Sequence, residues 1–222
     1  MLKRRQFATT VALGCLALAG CAGAGQDSSA TEQGLVDQAT KTLDTMKSSG
    51  GAKAAALLQK ARAILVFPDL VKGGIVVGGT RGQGVLVART SSGWSDPAFY
   101  ESTSVSVGAQ IGFEESAVVM FINTQKALDG ILQSSSFTLK AGGSLQVADF
   151  NSGLAEQLTG ADVVIWSKSS GAFAGIAVSG TDLSQRTDYD QAYYKQPVNA
   201  QPIIAGQAKN PKAANLIATL GA

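Results

Sequence analysis

The stretch from Val71 to Thr90, VKGGIVVGGTRGQGVLVART, carries six glycines in twenty residues, set among β-branched side chains. A Walker-type phosphate loop needs G-x-x-x-x-G-K-[ST], so that backbone amides wrap the phosphates and a lysine reaches them. Gly73 and Gly78 have the glycine spacing, but Gly79-Thr80 follows, with no lysine. A dinucleotide fingerprint needs G-x-G-x-x-G between a strand and a helix. Gly79-x-x-Gly82-x-Gly84 runs in the reverse order and leads into a further strand, Val85-Leu86-Val87. The glycines therefore belong within and between paired strands, where they allow bends, bulges and close approach of a neighbour.

A period of two continues through much of the chain. SVSVGAQIGFE (104–114) puts Val105, Val107, Ala109, Ile111 and Phe113 on one face and polar residues or glycine on the other, the pattern of a half-buried strand. Similar short strands are expected at 63–67, 74–80, 84–90, 117–123, 136–140, 143–148, 162–167 and 172–179, with helical interruptions near 124–133 and 152–158. Helical spacing precedes them. Ser29-x-x-Glu32 fits a capping box, followed by Leu35, Val36, Ala39, Leu43 and Met46. Ser-Ser-Gly-Gly at 48–51 breaks that helix and AKAAALLQKARA resumes it. At the C-terminus Asn210 and Pro211 start a helix with Ala213, Leu216, Ile217 and Leu220 as its stripe. The predicted class is α+β, with an antiparallel, Gly-rich sheet or barrel-like core and N-terminal, central and C-terminal helices packed on it.

The N-terminus carries a targeting signal. MLKRRQFATTVALGCLALAGC has a basic start and an apolar run from Ala8 to Ala19, too short to span a bilayer. Leu18-Ala19-Gly20-Cys21 resembles the lipobox of bacterial lipoproteins, whose cysteine is lipidated and becomes the first residue. Arg4-Arg5-Gln6-Phe7 resembles a twin-arginine export motif. The expected organisation is a signal peptide over 1–20, a lipidated tether over 21–30 reaching ~30 Å at most, and a domain over 31–222. Ala22 after Cys21, rather than Asp, implies sorting to the outer membrane, facing the periplasm.

What the chain lacks is equally informative. It has no histidine, so Ser-His-Asp and Cys-His catalysis and His-ligated metal or haem sites are excluded. Cys15 leaves with the signal and Cys21 bears lipid, which removes any disulfide. No Ser-x-x-Lys or G-x-S-x-G nucleophile occurs. Glu114-Glu115 and Asp188-x-Asp190 are the carboxylate pairs, a type that is most often solvated. No cofactor or metal is expected. Setting aside Lys3, Arg4 and Arg5 leaves 15 basic against 16 acidic residues, too even a balance for a nucleic-acid binder. Any anionic partner must meet a local patch.

Several motifs then follow one another in order: Lys72-Gly73-Gly74-Ile75, Gly82-x-Gly84-Val85, Gly93-Trp94-Ser95-Asp96-Pro97-Ala98-Phe99 and Val107-Gly108-x-Gln110-Ile111-Gly112. Ser167-Lys168-Ser169-Ser170-Gly171-Ala172-Phe173-Ala174-Gly175, Gly180 and Tyr193-Tyr194 come later. Over residues 35–222 the chain resembles the SYLF domain of eukaryotic membrane-trafficking and actin-patch proteins and of many bacterial lipoproteins. It departs at Val147-Ala148-Asp149-Phe150, where eukaryotic members usually have a Gly-Pro turn. The resemblance implies phospholipid binding, especially of phosphoinositides in eukaryotic members, some of which also bind actin. For a periplasmic protein it implies anionic glycerophospholipid as the membrane partner.

Lys72, Arg81, Arg89, Lys140 and Lys168 are the basic residues of the Gly-rich region. Lys72 and Lys168, inside the family-like motifs, are the first candidates for a headgroup phosphate, with Arg81 and Arg89 after them. Trp94 is a candidate interfacial anchor, or else a core or turn residue. The resulting expectation is a non-enzymatic, lipid-anchored module that binds anionic phospholipid. Its alternatives are a structural envelope protein with a protein partner, marked by an exposed apolar patch, and a hydrolase using two carboxylates in a cleft.

Overall fold

The computed structural model describes residues 28–74, 77–107, 112–133, 136–139, 145–148, 160–168 and 181–221. Cys21, Lys140, the helix expected near 152–158 and the strand expected over 172–179 lie outside them. Helix α1 (Ser28–Lys60) comes first. Leu35, Val36, Ala39, Leu43 and Met46 are all buried, so the stripe read from the sequence is the face that meets the sheet. Gly51, at φ 50° and ψ −127°, interrupts the helix within the expected break, in a backbone region that strains any residue with a Cβ.

The strands are β1 (Ala63–Gly74), β2 (Val77–Thr90), β3 (Gly93–Trp94), β4 (Ala98–Val107), β5 (Gly112–Ile122), β6 (Ser136–Leu139), β7 (Leu145–Val147), β8 (Val163–Ser167) and β9 (Thr181–Gln185). Helix α2 (Gln125–Gln133) separates β5 from β6, and α3 (Thr187–Tyr194), α4 (Ala200–Ile204) and α5 (Ala214–Leu220) end the chain. Asn210 caps the last turn-and-helix as its sequence implies, its side chain accepting the Lys212 N–H with Pro211 between. The sheet order is β6-β9-β4-β2-β1-β5-β8-β7, with β3 beside β2. Every pairing is antiparallel except β7 with β8. The sheet curls into a half-barrel with helices packed on it, an α+β fold as expected.

Alternation gives the central strands two cores. Ile64, Val66, Val85, Val87, Phe99 and Phe121 pack under Leu43 of α1, Tyr193 of α3 and Leu216 of α5. Leu65, Phe67, Leu86, Tyr100, Met120 and Ile165 meet Ile131 of α2 and Ile203 of α4. Runs such as Ala63–Phe67 and Val118–Ile122 are apolar throughout because both faces are covered. Each large side chain so buried contributes roughly 1.5–3 kcal/mol.

The register of β1 slips between Val66 and Asp69 against β2 and between Phe67 and Leu70 against β5. Pro68 supplies no N–H to the ladder, and a central strand accommodates it at such a bulge. Facing the bulge are Gly82 and Gly84. A Cβ on Gly82 would lie 2.7 Å from the Asp69 carbonyl oxygen, and one on Gly84 would meet the Val66 carbonyl oxygen and Phe67 Cδ1, the latter at 2.6 Å. Close approach, rather than phosphate binding, is what these two glycines serve.

The single strand expected over 104–114 is corrected. Val107 pairs with Val77 of β2, whereas Gly112 pairs with Gly74 of β1, so the segment belongs to two strands with different neighbours. Alternation can continue unchanged across a chain reversal, which is why the pattern concealed it. The strand expected at 84–90 extends back to Val77 as β2, and Gly74 of the strand expected at 74–80 belongs to β1.

Candidate functional site

Beyond the bulge the sheet leaves its double core and its side chains become polar. Ser102, Thr103 and Ser104 of β4 pair across Gly82, Arg81 and Thr80 of β2, and Glu115 and Ser116 of β5 pair with Val71 and Leu70 of β1. Pro68 and Asp69 stand at the rim of a cleft of about 570 Å³ between α1 and the sheet. Lys41, Thr42 and Thr45 line it from α1, Glu115 and Ser116 from β5, and Lys168 from just beyond β8. Lys41 and Thr45 are one helical turn apart and so share a side of α1. The Ser116 and Ser167 hydroxyls lie 2.9 Å apart, and Lys168 N–H donates to the Ala117 carbonyl at 3.0 Å. The backbone of Lys168 is thereby pinned to β5 while its side chain is exposed. Two ammonium groups lining one cleft can meet a phosphate. Asp69 and Glu115 in the same cleft moderate its positive potential.

The sequence-predicted cations do not form one patch. Lys168 lines the cleft. Arg81 shares that face, in a cross-strand row with Val71 and Glu115. Its guanidinium is 74% exposed and pairs with Glu101 at 2.6 Å, and Glu101 also lies 3.9 Å from Arg186. Lys72 is two residues beyond Leu70, whose side chain belongs to the opposite core, so alternation places Lys72 on the face away from α1. Arg89 is engaged structurally: Nε donates to Ala61 O at 3.2 Å and Nη2 to Leu58 O at 3.1 Å. It thus caps carbonyls at the C-terminal end of α1, where a cation is favoured.

Of the two readings of Trp94, the core residue holds and the interfacial anchor does not. Trp94 is only 3% exposed, clusters with residues of α1, and has the Arg89 guanidinium 4.4 Å above its ring. The short β3–β2 pairing holds Trp94 opposite Arg89 and turns the indole inward.

The paired acids also separate. Asp188 is exposed and bound by Arg186 at 2.7 and 2.9 Å, and this hydrogen-bonded partner holds its carboxyl below the usual range. Asp190 is fully buried, with Oδ1 accepting the Phe99 N–H at 2.9 Å; burial pushes its pKa up to about 7. Asp69 and Glu115 share the cleft but are both exposed, so neither has the apolar setting of a carboxyl general acid. Among the described residues no group of three or more acidic, His or Cys side chains is placed to hold a metal, and no helix is long and apolar enough to cross a membrane. Sequence reasoning missed Lys41, which belongs to no motif and reaches the site only because α1 folds over the bulge.

The sequence model of the Ysc84 family, described as Las17-binding protein actin regulator, matches residues 103–222. An SH3 domain-containing protein of Schizosaccharomyces pombe is 32% identical over 159 residues, 68% of this chain and 36% of that protein. Human SH3 domain-containing YSC84-like protein 1 is 30% identical over 163 residues, 70% of this chain and 46% of its own length. LAS seventeen-binding protein 3 of Saccharomyces cerevisiae is 28% identical over 165 residues, 71% of this chain and 35% of that protein. The chain spans less than half the length of each of these relatives. The match over more than half of the sequence, on the strands and helices described above, settles the family: the chain belongs to the Ysc84, or SYLF, family.

Proposed function

We propose that this protein is a non-enzymatic bacterial lipoprotein, anchored through Cys21 in the outer membrane and facing the periplasm, whose SYLF domain binds anionic phospholipid headgroups. The observation that carries the headgroup reading is the cleft lined both by Lys168, part of the Ser167–Gly175 motif, and by Lys41 of α1. Lys168 and Lys41 meet the phosphate, and the exposed Arg81 on the same face adds positive potential. Each cation near an anionic surface is worth about 1 kcal/mol, so the contact is weak and salt-sensitive. Weak contact suffices for a domain already held beside its ligand by acyl chains. Leu18-Ala19-Gly20-Cys21 supports the anchor, and Ala22 the outer-membrane address. Phosphoinositide preference is not carried over from eukaryotic relatives to a bacterial envelope.

The test is co-sedimentation of the Cys21→Ser protein with phosphatidylglycerol vesicles at low salt. Binding that exceeds that to phosphatidylcholine, and that falls at least tenfold in Lys41→Glu/Lys168→Glu, is the expected result. If the protein ignores anionic vesicles, the lipid reading fails. The descriptions of the family and of its yeast relative, Las17-binding and LAS seventeen-binding, then favour the second reading, an envelope protein that binds another protein.

A further inference from the structure

The C-terminal region holds a second cleft, of about 310 Å³, remote in sequence from the first and lined by Tyr193, Lys195, Lys209, Asn210 and Lys212. Its charge is strongly one-sided. Lys195 and Lys212 are exposed, and among the described residues neither has an ion pair. Lys209 Nζ is 3.3 Å from Asp96 Oδ1, and the Asn210 N–H donates to Asp96 Oδ2 at 2.6 Å. Asp96, itself buried, is thus already neutralised by a cation and a backbone donor, and it holds the 209–212 turn against the Trp94–Pro97 segment. Asn210 Nδ2 ties the turn to the Tyr193 carbonyl at 2.9 Å, which fixes the two walls relative to each other.

Tyr193 lines this cleft, is 3% exposed, and carries a buried hydroxyl with no hydrogen-bond partner. A buried phenol without a partner is costly, and few occur in a native fold. Burial, with the nearby Asp96 and Asp37 carboxylates, raises its pKa, so it remains an O–H donor. Asp37 is exposed and accepts a hydrogen bond from Gln33. Lys195 adds a further departure from the ordinary. At φ 55° and ψ 35° it occupies the left-handed position ending α3, where glycine or asparagine is usual.

We propose that this cleft is a phosphate-binding site, in which Lys195 and Lys212 supply the charge, Lys209 being held by Asp96, and the Tyr193 hydroxyl donates to a phosphate oxygen. The chemistry fits a phosphate monoester or free phosphate: a compact, multiply charged anion that lysine ammonium groups meet as point charges. The site is separate from the Lys41–Lys168 cleft and does not depend on the lipid-binding reading. Gln33, in the second turn of α1, donates to the Lys212 carbonyl at 3.4 Å, so the cleft lies beside the beginning of the helix that follows Cys21. A lipid phosphate and a soluble one are therefore both to be tried.

The experiment labels the rings of the four tyrosines of the full chain, held in an uncharged detergent, and follows Tyr193 by NMR. Inorganic phosphate is titrated against chloride at equal ionic strength. A second arm places the chain in phosphatidylcholine nanodiscs with and without phosphatidic acid. The Tyr193 signal should move saturably with phosphate and not with chloride. Lys195→Glu/Lys212→Glu should weaken the phosphate response at least tenfold while the melting temperature is unchanged. Tyr193→Phe, which assigns the signal, should weaken phosphate binding several-fold without lowering the melting temperature. A response to phosphatidic acid alone supports the site and names its source as lipid; a response to inorganic phosphate names it as soluble. Equal shifts with chloride and phosphate, a silent Tyr193 in both arms, or wild-type titration by the double lysine variant would overturn the proposal.

Discussion

The two halves of the β1–β2 hairpin are made by the same strands and do different work. At the base, Ile64, Val66, Val85 and Val87 face one core while Leu65, Phe67 and Leu86 face the other. Beyond the bulge the same two strands carry Lys72, Thr80 and Arg81, beside the serines of β4 and the glutamates of β5. The first half can be read for stability, the second for chemistry. The difference teaches that the boundary matters most: the Pro68–Asp69 bulge ends the double core and opens the cleft that Lys168 and Lys41 line.

The largest expected effect falls on that boundary. Gly84→Ala should destabilise the fold by about 3 kcal/mol, because the new methyl meets the Val66 carbonyl and Phe67 with no room to move. Gly34→Ala, a helical site with nothing within 4 Å, should instead be neutral or gain up to about 1 kcal/mol. Chemical denaturation of both measures the contrast, and a neutral Gly84→Ala would break the claim that the base tolerates no added atom.

A smaller effect comes from Asp190, beneath the base. Its folded pKa, about 7, lies above its unfolded value of 3.8, so the folded state binds the extra proton between those two pH values. Stability from this group is therefore full below its unfolded value and is lost as pH rises through about 7. Asp190→Asn keeps an acceptor for the Phe99 N–H and should remove that slope. Asp188, lowered by Arg186, titrates in both proteins and cancels in the difference. Parallel melting curves from pH 4 to 8 in the two proteins would defeat the assignment.

The smallest effects compare two arginines on β2. Arg89→Met, at the base, removes the caps on Leu58 and Ala61 and the stacking on Trp94, and should cost about 1–2 kcal/mol. Arg81→Met, beyond the bulge, removes a pair with a largely exposed guanidinium and should cost under about 0.5 kcal/mol. Equal losses in thermal melts would erase the distinction between the halves.

Much of this was legible in the residues. The stripe of α1, the break at Gly51, the Asn210-Pro211 cap and the non-nucleotide role of Gly82 and Gly84 follow from local rules of backbone and side-chain geometry. The failures have a common cause. Over 104–114 the alternation of side chains passes through a change of partner strand, and period two records a face without recording whose neighbour the strand is. The bulge at Pro68 shifts parity again, and only the register shows that Lys72 ends on the face opposite Lys168.

The sequence by itself determined the alternation that buries both faces of the central strands, the helical stripes that cover them, the absence of histidine chemistry, and the membership read from its ordered motifs. Tertiary structure alone decided which cations are available. Arg89 faces a helix end, Trp94 is folded under it, α1 brings Lys41 to the cleft that Lys168 lines, and Lys195, Lys209 and Lys212 line one cleft with Tyr193. The physical reason is that face and propensity depend on near neighbours in the chain, whereas the setting of a charge depends on whichever distant segments pack beside it.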